Sequence, residues 1–293
     1  LLRMEKGIRC VDYLTSSQLL DTIGKTADQF EQLLNDEDYG LWRARESIRK
    51  SIQQRKYGKV KEDLASYRTM KNNAPNLHEQ FCLYQEVMMK AERLRSVGRV
   101  HYVPQDEQAE LCETALRALH LTKPAFVFCG SGERQLYTST EIELILLVVH
   151  YGTYCTDTQT EDMLLNLFRH VDYYYLERER QKIGYLILEE LIELAQKLQD
   201  WDKELDYIDK GIDFVVQGRE ITGVARLHFL KAQALQRQCG AALAEDNVFR
   251  KEIQRECLMA YSVCEVFGDV CLMEAIKRFC EEELKWQITR LEM

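Results

Sequence analysis

After Pro124 the chain runs to Met293 without another proline, so for 169 residues no ring removes a backbone donor or blocks a helix. Pro75, Pro104 and Pro124 themselves fall between segments in which apolar residues recur three and four positions apart. That spacing puts the apolar residues on one face of a helix, whereas a half-buried strand would alternate. Leu41, Ala44, Ile48 and Ile52 show it early, and Leu205, Ile208, Ile212 and Val215 show it late. Thr26-x-x-Gln29, Thr138-x-x-Glu141 and Thr158-x-x-Glu161 have the spacing of capping boxes, in which the two side chains satisfy each other's backbone donors. The pattern predicts helices near residues 26–34, 41–56, 59–71, 76–97, 105–121, 138–154, 158–176, 178–199, 202–216, 220–238, 247–266 and 269–287. A turn is expected at Tyr57-Gly58, and residues 123–137 are the least regular stretch. The expected fold class is all-α.

Helix pairs start near residues 39, 76, 139, 178 and 220, a repeat of roughly 40 residues with one enlarged unit, as in helical repeat proteins. In residues 178–199, Ile187, Leu188, Leu191, Ile192, Ala195 and Leu198 form one stripe, and Ile183, Leu186 and Leu194 form another. Two stripes imply burial from two sides, as in stacked helix pairs. The run Leu188-x-x-Leu191-Ile192-x-x-Ala195, continuing through Asp200-Trp201-x-x-Glu204-Leu205-x-x-Ile208-x-x-Gly211-Ile212, resembles a tetratricopeptide repeat. Ile192 and Glu204 depart from that pattern, which prefers Gly and Ala there. The resemblance implies a right-handed superhelix of tetratricopeptide-like helix pairs.

No catalytic grouping emerges. Gly130-Ser131-Gly132 lacks the downstream Gly-Lys-Ser/Thr of a phosphate loop and carries Glu133 instead. The six histidines stand apart in sequence, and Glu189/Glu193 lack the Glu-x-x-His companion of di-metal bundles. The ten cysteines contain no CxxC; Cys257, Cys264, Cys271 and Cys280 have helical-face spacing and are expected as free thiols in the core. No enzyme activity, cofactor or metal is expected. No apolar run is long enough to span a bilayer, which predicts a cytoplasmic protein without membrane contact.

Charge is uneven. Residues 41–71 hold ten Lys/Arg against three acids, a net of +7, while residues 72–293 hold 25 against 37. Such a layout suits a DNA-facing end and a regulatory body, or simply a solvated helix face. Ahead of the basic block, Leu2-Arg3-Met4-Glu5-Lys6-Gly7-Ile8-Arg9 resembles the end of the recognition helix in Xre-type helix-turn-helix proteins. Leu19-Leu20-Asp21-Thr22-Ile23-Gly24-Lys25-Thr26 resembles that family's next helix and break. Residues 1–36 are thus expected as the C-terminal remnant of such a domain, and two helices would have to precede Leu1 to complete it. Residues 37–293 are expected as the tetratricopeptide-like domain, with 37–72 as its basic first pair.

That order resembles the Rgg/PlcR-type peptide-pheromone receptors. Leu136-Tyr137-Thr138-Ser139-Thr140-Glu141-Ile142-Glu143-Leu144 is similar to a recurring helix start of that class, as are Phe30-Glu31-Gln32-Leu33-Leu34 and Glu37-Asp38-Tyr39. The resemblance implies a homodimeric, peptide-responsive transcription regulator active in quorum sensing. It implies that Arg3, Lys6 and Arg9 contact double-stranded DNA once the missing helices are supplied. Stacked helix pairs offer a concave side to an extended peptide. The polar positions expected to line it are Glu143, His150, Tyr154, Glu189, Glu193, Gln196, Arg226, Lys231 and Gln233. A repeat-only adaptor that binds a protein partner and no DNA is the alternative.

Overall fold

The computed structural model describes residues 13–22, 25, 36–70, 74–96, 104–128, 136–152, 154–218, 223–239 and 247–288. Among them every regular element is helical, with twelve helices and no strand. These are α1 (Tyr13–Asp21), α2 (Asp36–Gln53), α3 (Tyr57–Thr69), α4 (Pro75–Ser96), α5 (Gln105–His120), α6 (Ser139–Tyr151), α7 (Asp157–Tyr174), α8 (Glu177–Leu198), α9 (Trp201–Gln217), α10 (Val224–Cys239), α11 (Asn247–Phe267) and α12 (Val270–Glu282). The helix expected over 26–34 lies outside the described residues. No described helix is long and apolar enough to cross a membrane. The chain divides into two compact units, residues 1–183 and 184–293, with the boundary inside α8.

In the first unit, Leu41, Ile48, Val60, Leu64 and Tyr67 of the α2–α3 hairpin pack with Phe81, Cys82 and Met89 of α4. Tyr67 Oη and His78 Nδ1 share a hydrogen bond of 2.5 Å inside this core, and burial pushes the Tyr67 hydroxyl up to about 12. The hairpin turns at residues 54–56 rather than at Tyr57-Gly58, which already belong to α3. Arg55 takes a left-handed conformation, φ 56°, within that turn.

α6 opens with the capping box read from the sequence: Thr138 N–H donates to Glu141 Oε2 at 2.8 Å, and Glu141 N–H to Thr138 Oγ1 at 3.2 Å. Glu141 is fully buried and also accepts from Thr122 Oγ1 at 2.6 Å. Thr122 Oγ1 in turn accepts from Gln80 Nε2 at 2.7 Å, so α4, the end of α5 and the start of α6 share one polar network. The irregular connector is pinned too: Tyr175 Oη donates to Tyr137 O at 2.9 Å and Lys123 Nζ to Leu136 O at 2.6 Å. α7 is capped two residues earlier than expected, by Thr156 with Gln159 rather than Thr158 with Glu161. Both pairs have the right spacing, and the earlier one wins by lengthening the helix at its start.

Expectations for the cysteines need correction at two positions. Cys155 is disulfide-bonded rather than free. Cys257, Cys264 and Cys280 are buried, but Cys271 is exposed. The spacing of seven from Cys264 to Cys271 crosses a helix break at Gly268 (φ 73°) and Asp269, which caps α12. The face therefore restarts in a new phase.

The second unit buries Ile187, Leu188, Leu191, Ile192 and Ala195 of α8, while Leu198 is exposed. Its main core joins Ala225, Phe229 and Ala232 of α10 to Ile253, Cys257 and Tyr261 of α11 and to Ile276 and Cys280 of α12. Phe249 of α11 is 40% exposed, one turn before the buried Ile253. Gly211 of α9 faces Leu227 of α10 so closely that a Cβ would sit 3.1 Å from its Cδ2.

Candidate functional site

Five segments of the first unit converge on a half-open cavity of about 620 Å³. Trp42, Arg45, Glu46 and Arg49 of α2 are spaced three, one and three apart, and Leu77, Gln80, Phe81, Tyr84 and Gln85 of α4 repeat that interval. Each set therefore lies on one side of its helix. Ser17, Gln18 and Asp21 of α1 form a third wall, the first turn of α6 with Glu143 a fourth, and Glu179 and Lys182 of α8 close it. The size is that of a pocket for a small ligand or a few residues of a peptide.

The charges are balanced. Four acids (Asp21, Glu46, Glu143, Glu179) face four cations (Lys25, Arg45, Arg49, Lys182). Several are committed to protein partners. Glu143 accepts from Lys182 Nζ at 2.9 Å and from Tyr84 Oη. Burial, reinforced by this carboxylate, drives the Tyr84 hydroxyl well above its ordinary range. Burial works against the charged form of Lys182, yet Glu143 outweighs it and holds the ammonium above its usual value. Arg49 pairs with Glu46 at 2.6 Å, and the Arg45 guanidinium lies 4.3 Å from the centre of the Phe81 ring. Glu179 makes no ion pair among the described residues, and Ser17 Oγ is buried without a hydrogen-bond partner there.

Asp21 joins the N-terminal segment to the helical body. Its Oδ2 accepts from Ser139 N–H at 3.0 Å, and its Oδ1 from Ser139 Oγ at 2.5 Å. Burial pushes its carboxyl from an ordinary 3.8 up to about 6, and the Glu179 and Glu143 charges add to the rise, while the bonds from Ser139 oppose it.

No protein-family model, curated protein or solved structure matches the chain. Geometry and chemistry alone must therefore carry the reading of this site.

Of the nine groove positions expected from the sequence, only Glu143 lines the cavity. His150 is exposed near the end of α6, edge-on to Tyr151 at 4.6 Å, and Tyr154 stacks on Phe128 at 5.7 Å. The other six belong to the second unit. Glu189 accepts from Tyr185 Oη and from Arg226 Nε, each at 2.8 Å. Gln196 Nε2 donates to Glu204 Oε1 at 2.8 Å, and Lys231 pairs with Asp209 at 2.7 Å. Glu193 is exposed on α8, and Gln233 is half-buried on α10. Arg3, Lys6 and Arg9 lie outside the described residues.

Asp21, Arg45, Arg49, Gln80, Tyr84, Glu179 and Lys182 were missed. A signal for some of them existed: Gln80, Tyr84 and Gln85 share a helix side with Leu77 and Phe81, and Arg45, Glu46 and Arg49 share one with Trp42, so polar residues interrupt an apolar face. Such an interruption marks either a buried network or a cavity wall.

Proposed function

We propose that the chain is a peptide-responsive regulator, and that the cavity of the first unit receives one end of a short linear peptide. The observation that carries this reading is the cavity's mixed-charge wall, built jointly by α1 and the helical body. Acids and cations in balance suit a zwitterionic ligand, with Glu179 placed for an ammonium and Arg45 for a carboxylate. Gln80 and Gln85 add amide groups of the kind that meet a peptide backbone, and Phe81 and Trp42 give apolar surface. A ligand held there would touch the N-terminal segment and the body at once. That arrangement suits a regulator whose residues 1–36 are part of a helix-turn-helix domain, with Arg3, Lys6 and Arg9 toward DNA. The helices are read as tetratricopeptide-like pairs, a reading supported by the packing of α2 on α3, α4 on α5 and α9 on α10 and by the close approach of Gly211 to Leu227. Homodimerisation and a role in signalling between cells belong to the same proposal.

The test is thermal unfolding with synthetic di- to octapeptide libraries, each in a free-ended and an end-blocked form. A free-ended ligand at about 100 times its Kd should stabilise the chain by about 2.7 kcal/mol. Glu179→Gln should weaken that ligand about tenfold, read as a smaller ligand-induced rise in melting temperature measured against the unliganded variant. If no free-ended library shifts the melting temperature at saturating concentration, the peptide reading fails.

A further inference from the structure

We propose that the tip of the α2–α3 hairpin is a docking surface for the phosphate backbone of double-stranded DNA. Residues 47–61 contain six cations (Arg49, Lys50, Arg55, Lys56, Lys59, Lys61) and no acid. The structure folds this run back on itself: the last turns of α2, the turn at residues 54–56 and the first turn of α3. Lys50, Arg55, Lys56, Lys59 and Lys61 are all exposed. Among the described residues, Lys50, Lys56, Lys59 and Lys61 pair with no carboxylate, although ion pairs are common elsewhere in the unit, as at Arg68 with Glu79 and Glu86. Counting the flanking acids Glu46, Glu62 and Asp63, residues 46–63 still hold six cations against three carboxylates, a net of +3, and Glu46 is paired with Arg49. Lys59 and Lys61 flank the fully buried Val60, so their side chains splay to either side of the hairpin.

An unneutralised cluster of lysines at a protruding turn attracts a polyanion. Its composition favours a duplex backbone over a membrane. The exposed tip offers Gln53, Gln54 and Gly58 beside the lysines and no apolar side chain to insert between lipids, which interfacial anchors need. It offers no exposed aromatic platform at the turn for unstacked bases, since Tyr57 is half-buried. Phosphate contacts of this kind position a protein on DNA and add affinity without reading sequence. The inference extends the regulatory reading above, and its assay needs no peptide, so the two can fail separately.

The test is fluorescence anisotropy of a labelled 30-base-pair duplex of arbitrary sequence, titrated with the 293-residue chain between 50 and 200 mM KCl. Each phosphate contact contributes about 0.9 to the slope of log affinity against log salt. The triple variant Lys50→Gln, Lys56→Gln, Lys59→Gln should reduce that slope by about 2.7, which over this fourfold salt range removes about a 40-fold change in affinity. A matched triple in the second unit, Lys203→Gln, Lys210→Gln, Lys251→Gln, should leave the slope near wild type. All six side chains are exposed, and an unchanged circular-dichroism melt checks that the fold persists. Four results would overturn the proposal: no duplex binding at 50 mM salt, equal slopes for the wild type and the tip variant, the same slope loss in the second-unit variant, or loss of the whole slope in Arg3→Ala, Lys6→Ala, Arg9→Ala. Binding to phosphatidylserine vesicles that depends on the tip, with none to duplex, would assign the surface to membranes instead.

Discussion

Replacing Asp21 with Asn should make the protein more stable at neutral pH, although it removes a charge that accepts two hydrogen bonds. Asp21 rests against the first residue of α6, receiving Ser139 N–H at 3.0 Å and Ser139 Oγ–H at 2.5 Å. Those bonds favour the ionised form, but burial and the nearby Glu179 and Glu143 carboxylates disfavour it more, leaving the carboxyl at about 6 against an ordinary 3.8. A gap of that size means that the ionised side chain costs the folded state about 3 kcal/mol relative to the unfolded chain. The sign follows from linkage. A carboxyl raised on folding binds its proton more tightly in the native state, so its contribution is best below pH 3.8 and is lost as pH rises through about 6.

Asn keeps the shape and both contacts: its Oδ1 can accept from Ser139 N–H, and its amide can donate to Ser139 Oγ. Urea unfolding of wild type and Asp21→Asn from pH 4 to pH 8 isolates the effect, because every other titrating group cancels in the difference. The variant should match wild type near pH 4 and exceed it by about 2–3 kcal/mol at pH 8, with the difference developing between those limits. Amide hydrogen exchange in Tyr13–Asp21 should show the same gain, since this helix carries the contact. A variant less stable than wild type at pH 8, or one whose effect is the same at both pH values, would refute the reasoning.

Other predictions test the framework around the site. Glu141→Ala should lower stability by about 2–4 kcal/mol in denaturant unfolding, because Thr138 N–H and Thr122 Oγ1 lose a buried acceptor together. Gly211→Val should cost about 1–3 kcal/mol by forcing Leu227 away from α9, and it should act on the second unit, as proteolysis of that unit can report. In the same unit, burial would raise Glu256, but the hydrogen bond and charge of His228 prevail and hold it below its ordinary 4.5. The stabilisation from that carboxyl is thus complete above 4.5 and lost as pH falls through the lower native value, so Glu256→Gln should flatten the acid limb of the stability curve.

The helices were legible because their signals are local. Periodicity within one segment and a capping pair three residues apart need no knowledge of the partner, and α6 begins where Thr138 and Glu141 said it would. Legibility ended where a choice depended on backbone state or on helix phase. Arg55 adopts a positive φ that Gly58 would accommodate more cheaply, so the turn sits three residues before the glycine. Cys271 follows Cys264 by a helical interval, yet Gly268 and Asp269 reset the phase between them. The disulfide at Cys155 was likewise hidden, for no spacing motif announced it.

The cavity was hidden for a more general reason. Its walls come from α1, α2, α4, α6 and α8, and the bond that sets Asp21 joins residues 118 positions apart. A periodic pattern shows which side of a helix is apolar, but not which neighbouring helix stops short and leaves polar side chains facing a void. Glu143 was recognisable as a polar residue on a strongly apolar helix, and so it was placed in a groove. Its neighbours Tyr84 and Lys182 look, in their own segments, like ordinary amphipathic surface. Only when the three meet does the carboxylate acquire the tyrosyl hydroxyl and the ammonium that it accepts from. The same convergence puts α1 on the cavity wall. A perturbation of that wall must therefore be felt by the N-terminal segment, because Asp21 has few ways to change protonation or position without giving up its hold on Ser139.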